Sequence, residues 1–459
     1  MAGETTPRVV IVGAGPAGAR AASVLARAGW KPVVIDEAPA SGGQIYRRPP
    51  PGFTRPPEDL YGFDAGPARA AHAEFDGLGA SIDHRPGTSV WNVEGGRVHV
   101  LDAAGRTEAI PYDSLLLATG AMDRAIPFPG WTLPGVFTLG GAQIALKHQG
   151  CAIGRRVAFI GSSPLLYLVA YQYAKAGAEV AAVLDTAPFV SKLTALPALL
   201  WGGLAFAKGL YYVAWLKARG VRLVNGATPL RAEGGGGVER LRWRARNGTE
   251  HATDCDALAV GWGLKSETQL ADLAGVKFVF DQSQRQFLPQ ADADGRTPVP
   301  GVYVCGDGAG IGGAAAAALA GERAALALLA DRGMPVDRGR VAAIARVQSR
   351  LKRFRRGLEA AFPFPADLAR GAGDDTLLCR CEGVTAGELR RWTRELDARE
   401  VNRAKAFSRV GMGRCQGRVC GAAAAEIVSQ ECGIDIKDVG RLRAQPPVKP
   451  LPLGAISAS

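Results

Sequence analysis

Val9-Val-Ile-Val-Gly13-Ala-Gly15-Pro-Ala-Gly18 is an apolar run that feeds a glycine turn, and the alanine-rich stretch Pro16 to Ala28 behind it has helical spacing. Pro32 to Ile35 follows as a second apolar strand and ends at Asp36. Strand, turn, helix and strand make one βαβ unit, which implies an α/β fold built on a parallel sheet. In that context the glycines have separate duties. Gly13 permits the tight turn, Gly15 lets the backbone approach a pyrophosphate, and Gly18 lets helix and strand pack closely, with phosphates at the helix N-terminus. Ala14, Pro16 and Ala17 complete the nucleotide turn. Asp36, ending the second strand, is the first candidate for ribose hydroxyls, with Glu37 the near alternative.

At 459 residues the chain is long enough for two or three compact units, each with its own core. Residues 155 to 185 repeat the βαβ plan, with Val157 to Ile160, a turn at Gly161, a helix to Ala176 and a strand Glu179 to Leu184. The expected architecture is therefore two Rossmann-like three-layer α/β domains, one inserted in the other, plus a small α-rich C-terminal domain. The boundaries expected are 1–150 with 265–335 for the first domain, 151–264 for the second, a helical linker over 336–370, the small domain over 371–440 and a proline-rich tail over 441–459. Gly234 to Gly237 reads as a hairpin turn within the second unit, and Phe362-Pro-Phe-Pro365 as a helix-breaking boundary.

Composition excludes several classes. Eight cysteines, half of them between residues 379 and 420, are too few and too clustered for a disulfide framework, so a reducing cytoplasmic setting is expected. The N-terminus lacks the pattern of a secretion signal. Leu193 to Ala207 is too short and too broken by Pro197, Gly202 and Gly203 for a transmembrane helix, and reads as a buried helix, with a sticky partner surface the alternative. The net charge of +12 is spread along the chain without a nucleic-acid reading module. Arg346 to Arg356 concentrates basic residues at helical spacing, either as a solvated face or as a dock for an acidic partner chain.

Gly13 to Gly18, Gly42-Gly43-Gln44, Ala118-Thr119-Gly120 and Val304-Cys-Gly306-Asp307, in that order, resemble the pyridine-nucleotide-disulfide oxidoreductase superfamily. The resemblance implies FAD in the first domain, with Gly43, Gln44, Thr119 and Gly120 lining it, Gly306 and Asp307 at the ribityl chain and phosphate, and the backbone near Val90 at the adenine. It also implies NAD(P)H in the second domain. There the turn reads Gly161-Ser-Ser-Pro-Leu-Leu166, with Ser163 where the backbone should approach the pyrophosphate and Leu166 where helix and strand should touch, which argues against a nicotinamide. No Cys-x-x-Cys redox pair occurs anywhere, and Cys151, Cys255 and Cys305 read as core residues. No catalytic side chain is evident.

Cys379 and Cys381, in Cys-Arg-Cys, and Cys415 and Cys420, in Cys-Gln-Gly-Arg-Val-Cys, form a four-thiolate set suited to a [2Fe-2S] cluster. Gly411, Gly413 and Gly417 allow the second loop to wrap closely, and the helix expected after Cys420 would present its positive end to an anionic cluster. Structural zinc is the rival. The module is similar to bacterioferritin-associated ferredoxin domains, although that type ends in Cys-x₂-Cys.

Together the two modules, with Gly43-Gln-Ile-Tyr-Arg47, resemble the electron-transfer subunits of heteromeric FAD-dependent amine and amino-acid dehydrogenases, a family that includes opine oxidase A subunits and hydrogen cyanide synthase subunits. The resemblance implies a partner flavoprotein that oxidises the substrate, sometimes with a small ferredoxin-like subunit; a cytoplasmic chain is expected, with partners as a route to the membrane periphery. Two other readings stay open: a free-standing NAD(P)H-dependent flavin reductase, and an assembly subunit that holds an adenine nucleotide and zinc.

Overall fold

The computed structural model describes residues 7–456. Val9–Val12 is the middle strand of a five-stranded parallel sheet, ordered Val302–Val304, Ser114–Leu117, Val9–Val12, Val33–Ile35 and Asp83–Arg85. All four of its residues are buried, as expected of a parallel strand covered on both faces. Helix Pro16–Arg27 covers one face with small residues, so helix Ala314–Asp331 can lie directly on it. At Gly321 an added Cβ would sit 1.9 Å from the Ala17 carbonyl oxygen, so part of the glycine excess serves helix packing rather than ligand contact. An antiparallel sheet of Ser89–Glu94, Arg97–Leu101 and Thr107–Pro111 completes this unit.

A second five-stranded parallel sheet runs Leu223–Asn225, Glu179–Asp185, Arg156–Gly161, Ala257–Gly261 and Val136–Thr138. Val136–Thr138 falls inside the stretch 1–150 expected for the first domain, yet pairs with Leu258 to Val260 of the second. Helix Leu139–Lys147, capped by the Thr138 hydroxyl accepting from Gly141 N–H at 3.2 Å, goes with it. The boundary therefore comes earlier than the sequence suggests; a three-residue strand offers too short an apolar run to read. The chain crosses between the two sheets through Ala121–Asp123 and Leu264–Ser266, which pair antiparallel with Lys265 opposite Met122. The strand Val302–Val304 returns to the first sheet as expected.

Helix Arg338–Ala361 spans the linker, and the small domain follows with a short ribbon, Leu377–Cys379 against Val384–Thr385, and helices Ala386–Glu395, Val401–Ser408 and Gly421–Cys432. Its core is continuous with one face of the second sheet. Trp131 Nε1 donates to Leu377 O at 2.6 Å across that junction. The proline-rich tail is docked, not loose: Arg441 Nη1 pairs with Asp272 at 2.7 Å, and Val448 is fully buried against Val90 and Val93.

Two expectations need correction. Cys255 and Cys305 are buried, but Cys151 is exposed because it lies in the loop between helix Leu139–Lys147 and strand Arg156–Gly161. Leu193 to Ala207 is not a buried helix: it breaks into short helices whose Leu193, Leu200, Trp201 and Leu204 face outward.

Candidate functional site

The first crevice is built on Gly13, whose φ of +105° and contact geometry admit no side chain; a Cβ there would lie 2.4 Å from Ala118 O. A Cβ at Gly18 would lie 1.8 Å from Gly13 O. Both glycines are thus demanded by the fold itself. Gly15 differs: a Cβ there would meet only Gly43 Cα, at an ordinary 3.6 Å. The fold does not demand a glycine here, and the space left beside Gly15 fits the close approach that an FAD pyrophosphate would need.

The surrounding residues converge on that turn. Gly42 N–H donates to Ala14 O at 2.9 Å and folds Gly42-Gly43 over it, with Gln44 exposed beside them. Asp36 accepts from Ala14 N–H at 2.5 Å and Ala38 N–H at 2.7 Å. Burial pushes the Asp36 carboxyl up from its ordinary range, against the pull of those two donors. Glu37 instead pairs with Lys449 of the tail at 2.7 Å. Thr88 N–H to Asp36 O, 2.9 Å, brings the Val90 strand alongside. On the other side Thr119 and Gly120 meet Gly306-Asp307-Gly308, where a Cβ at Gly308 would lie 2.7 Å from Thr119 Oγ1. Asp307 Oδ1 accepts from Gly312 and Gly313 N–H at 2.8 and 2.9 Å, leaving its second oxygen without a protein donor among the described residues. Ala14, Pro16 and Ala17 lie in the turn and the first turn of the helix behind it, Ala14 and Ala17 are buried in the core, and Glu37 faces the tail.

Residues the sequence reading missed close the far end. Arg124 is enclosed, with its guanidinium donating to Gln284 O and lying 5.1 Å from the Phe364 ring; burial pulls it down to about 10. Lys147 donates to Ile45 O at 3.2 Å beneath the Gly42–Tyr46 loop. Burial lowers it to about 8. Lys265 is lowered chiefly by burial too, with Glu267 opposing. The signal was present, since Asp123-Arg124 directly follows Ala118-Thr119-Gly120 and Lys265 and Glu267 interrupt an apolar run, but charges in a crossing strand are silent without the partner strand.

At the turn of the second βαβ unit the linker packs against the protein. Ser162 Oγ donates to Pro363 O at 2.8 Å, and Phe362 lies against Tyr167. Asp185, ending the strand where a ribose acid belongs, is fully buried and pairs with Lys192 at 2.5 Å while accepting from Tyr167 Oη at 2.8 Å. Leu166 is buried and Ser163 caps its own helix.

In the small domain the four cysteines come together. Cys420 neighbours Cys379 and Cys415, and Cys415 neighbours Cys381, near enough for each thiol to affect the other's ionisation. The Cys420 thiol and the backbone N–H groups of Gly411, Glu382 and Cys381 hold Cys379 below the ordinary thiol value; Cys420, Val419, Cys381 and Gly417 do the same for Cys415. A Cβ at Gly413 would lie 2.2 Å from Cys381 Cβ, so glycine there lets the two cysteine loops touch. Among the described residues, no three His, Cys, Asp or Glu side chains are disposed around a single ion position. Cys432 ends its helix away from this group.

One link joins crevice and cysteines. Thr119 Oγ1 donates to Glu267 O at 2.5 Å and Glu267 N–H to Gly120 O at 2.9 Å, while the Glu267 carboxylate holds Arg418 Nε at 2.7 Å. Gln269 Nε2 donates to Gln416 O at 2.9 Å beside it.

Comparison with known proteins identifies the family. The family model described as pyridine nucleotide-disulphide oxidoreductase matches residues 7–334, and that of the sarcosine oxidase A3 domain matches 378–459. The chain is 37% identical to the opine oxidase A chain of Rhizobium meliloti (strain 1021) and 35% identical to hydrogen cyanide synthase subunit HcnB of Pseudomonas aeruginosa, covering 98% of this chain and 98% of each relative. Its fold is similar to that of L-proline dehydrogenase from P. horikoshii, with a TM-score of 0.71 and 22% identity over 98% of this chain and 79% of that one. T. acidophilum thioredoxin reductase matches 72% of this chain and 99% of its own, with a TM-score of 0.51 and 22% identity. The chain belongs to the pyridine nucleotide-disulphide oxidoreductase family, and within it to the group of FAD-dependent oxidoreductases that contains the opine oxidase A subunits and HcnB.

Proposed function

We propose that this chain is the electron-relaying subunit of a heteromeric amine, imino-acid or opine dehydrogenase, holding FAD in the first crevice and a [2Fe-2S] cluster on Cys379, Cys381, Cys415 and Cys420. The observation that carries the reading is the Glu267–Arg418 pair, which ties the crevice floor at Thr119 and Gly120 to the loop carrying Cys415 and Cys420. The chemistry supplied by a bound flavin is conversion between paired and single electrons.

The residues have definable tasks. Gly13 to Gly18 would hold the pyrophosphate at the helix N-terminus, Asp36 the ribose, and Asp307 a ribityl hydroxyl. Backbone N–H groups at Cys379 and Cys415 would stabilise anionic sulfur, and Arg380, Arg414 and Arg418 add positive charge that favours reduction. Pro363 and Phe362 occupy the ground a nicotinamide cofactor would need, which supports electron entry from a partner subunit rather than from NAD(P)H. The names of the opine oxidase and hydrogen cyanide synthase relatives describe subunits, which supports a partner flavoprotein that oxidises the substrate.

Anaerobic purification of the complex, followed by flavin, iron, sulfide and zinc analysis and a visible spectrum, tests the reading. We expect flavin and protein-bound sulfide in the preparation, bleaching together when the amine substrate is added and unchanged when NADH is added. Zinc with a colourless protein would select the assembly role, and rapid reduction by NADH the free-standing reductase.

A further inference from the structure

Helix Leu204–Ala218, Leu-Ala-Phe-Ala-Lys-Gly-Leu-Tyr-Tyr-Val-Ala-Trp-Leu-Lys-Ala, is apolar on all sides, a pattern that ordinarily means burial in a core or a bilayer. Here only Tyr212 and Leu216 are buried. The segment before it, Leu196–Gly202, meets it at a bend of 108°, and the bend carries exposed side chains: Leu204 at 83%, Leu200 at 61% and Trp201 at 45%. Leu193 and Phe189, at 54% and 56%, extend the same apolar surface. An apolar wedge projecting into water is costly, and a contiguous patch of this kind marks a contact surface.

Its surroundings say what covers it. Residues 186 to 232 contain no Asp or Glu. Helix Arg338–Ala361 runs beside the bend, with Arg350 Nε donating to Trp201 O at 2.9 Å and the Arg353 guanidinium 4.5 Å from the Trp201 ring. Arg346, Arg350 and Arg353 are spaced to share one helix face, all three are exposed, and none pairs with a carboxylate among the described residues. Leucines at a tip, a tryptophan behind them and an arginine stripe at the rim are the layering of a bilayer interface, where apolar groups enter the acyl boundary, an indole sits at the headgroups and cations meet anionic lipid. No single helix among the described residues is long and apolar enough to cross a membrane; Leu196–Gly202 and Leu204–Ala218 reach that length and apolarity only as a pair, and the bend of 108° between them suits a wedge set into one leaflet.

We infer that the Leu196–Ala218 wedge and the Arg346–Arg353 stripe form a monotopic docking surface for an anionic lipid bilayer. This adds to the proposed relay without depending on it, since a chain that carried no electrons would bind lipid all the same.

The test is co-sedimentation of the full-length holoprotein with vesicles of phosphatidylcholine alone and of phosphatidylcholine with about one third phosphatidylglycerol, at low and high salt. Binding to the anionic vesicles at least tenfold stronger than to neutral ones, weakened by salt and reduced at least tenfold by Leu200→Glu with Leu204→Glu, is the expected result. Bound flavin stays unchanged in that variant, which separates loss of docking from loss of fold. Arg350→Gln with Arg353→Gln should reduce anionic preference while leaving neutral-lipid affinity unaltered. Binding that the leucine variant leaves intact, no binding to anionic vesicles, or a variant that loses its partner subunit in place of its lipid affinity would each overturn the inference, the last by making the wedge a protein interface.

Discussion

Lys147, only 3% exposed, illustrates how burial sets the charge of a single side chain. Its ordinary value of 10.5 falls to about 8 in the folded chain, chiefly through desolvation. The unfolded chain therefore binds the extra proton between those values, so the protein is penalised below pH 8 and gains stability as pH rises toward 10.5, by about 3 kcal/mol in all. Lys147→Met should remove this rise, giving urea-unfolding free energies that diverge least from wild type at high pH. Glycine substitutions give a second prediction. Gly15→Ala meets nothing closer than 3.6 Å and should keep the melting temperature of nucleotide-free protein, yet weaken FAD binding by at least about tenfold, or about 1.4 kcal/mol. Gly18→Ala, at 1.8 Å from Gly13 O, should prevent soluble folding; equal flavin content in both variants would contradict the assignment. Gly13, Gly15 and Gly18 were legible in the sequence because their strand and helix lie next to them in the chain. Arg124 and Lys147 were not, since what buries them arrives from distant segments.

Strand Glu179–Asp185, helix Pro164–Lys175 and the extended stretch Phe362 to Pro365 together decide what became of the second nucleotide cleft. The serine and leucine in its turn argued against a nicotinamide from sequence, but did not show that Pro363 would accept the Ser162 hydroxyl bond, because a proline pair advertises only where a helix stops. Lys192 now supplies the positive charge that opposes the effect of burial on Asp185 inside the fold. Lys192→Met should cost about 3 kcal/mol, the scale of stranding one member of a buried pair, measured by denaturant unfolding. Asp185→Asn with Lys192→Met together should recover most of that loss, and failure to recover would mean the two side chains are not acting as a pair. At the same scale, Val136–Thr138 escaped detection since three residues of edge strand are identified by their partner, Ala257–Gly261, more than by their own composition.

Across the whole molecule, the small domain is fastened by contacts of unequal kind, among them the continuous apolar core, the Trp131 indole on Leu377, the Arg285–Glu426 pair and the Glu267–Arg418 pair. Arg418→Ala would leave Glu267 enclosed without its cation and should cost about 3 kcal/mol. Trypsin should then cut between residues 362 and 376 faster than in wild type, while the melting of the two large units stays put; unaltered cleavage would show that the remaining contacts hold the module without Arg418. The two Rossmann-like units and the cysteine module could be read from local patterns, whereas their mutual seating could not, being decided by long-range pairs such as Arg441 with Asp272. The docked tail has an outcome in time as well as in space. Val448 N–H bonds Trp91 O at 3.0 Å and Lys449 reaches Glu37 across a sequence separation of 412 residues, so the adenosine end of the crevice is finished only when the last part of the polypeptide has folded down. Any nucleotide held at Asp36 would have this seated tail as its neighbour, so the docking of the tail and the retention of the cofactor would be linked.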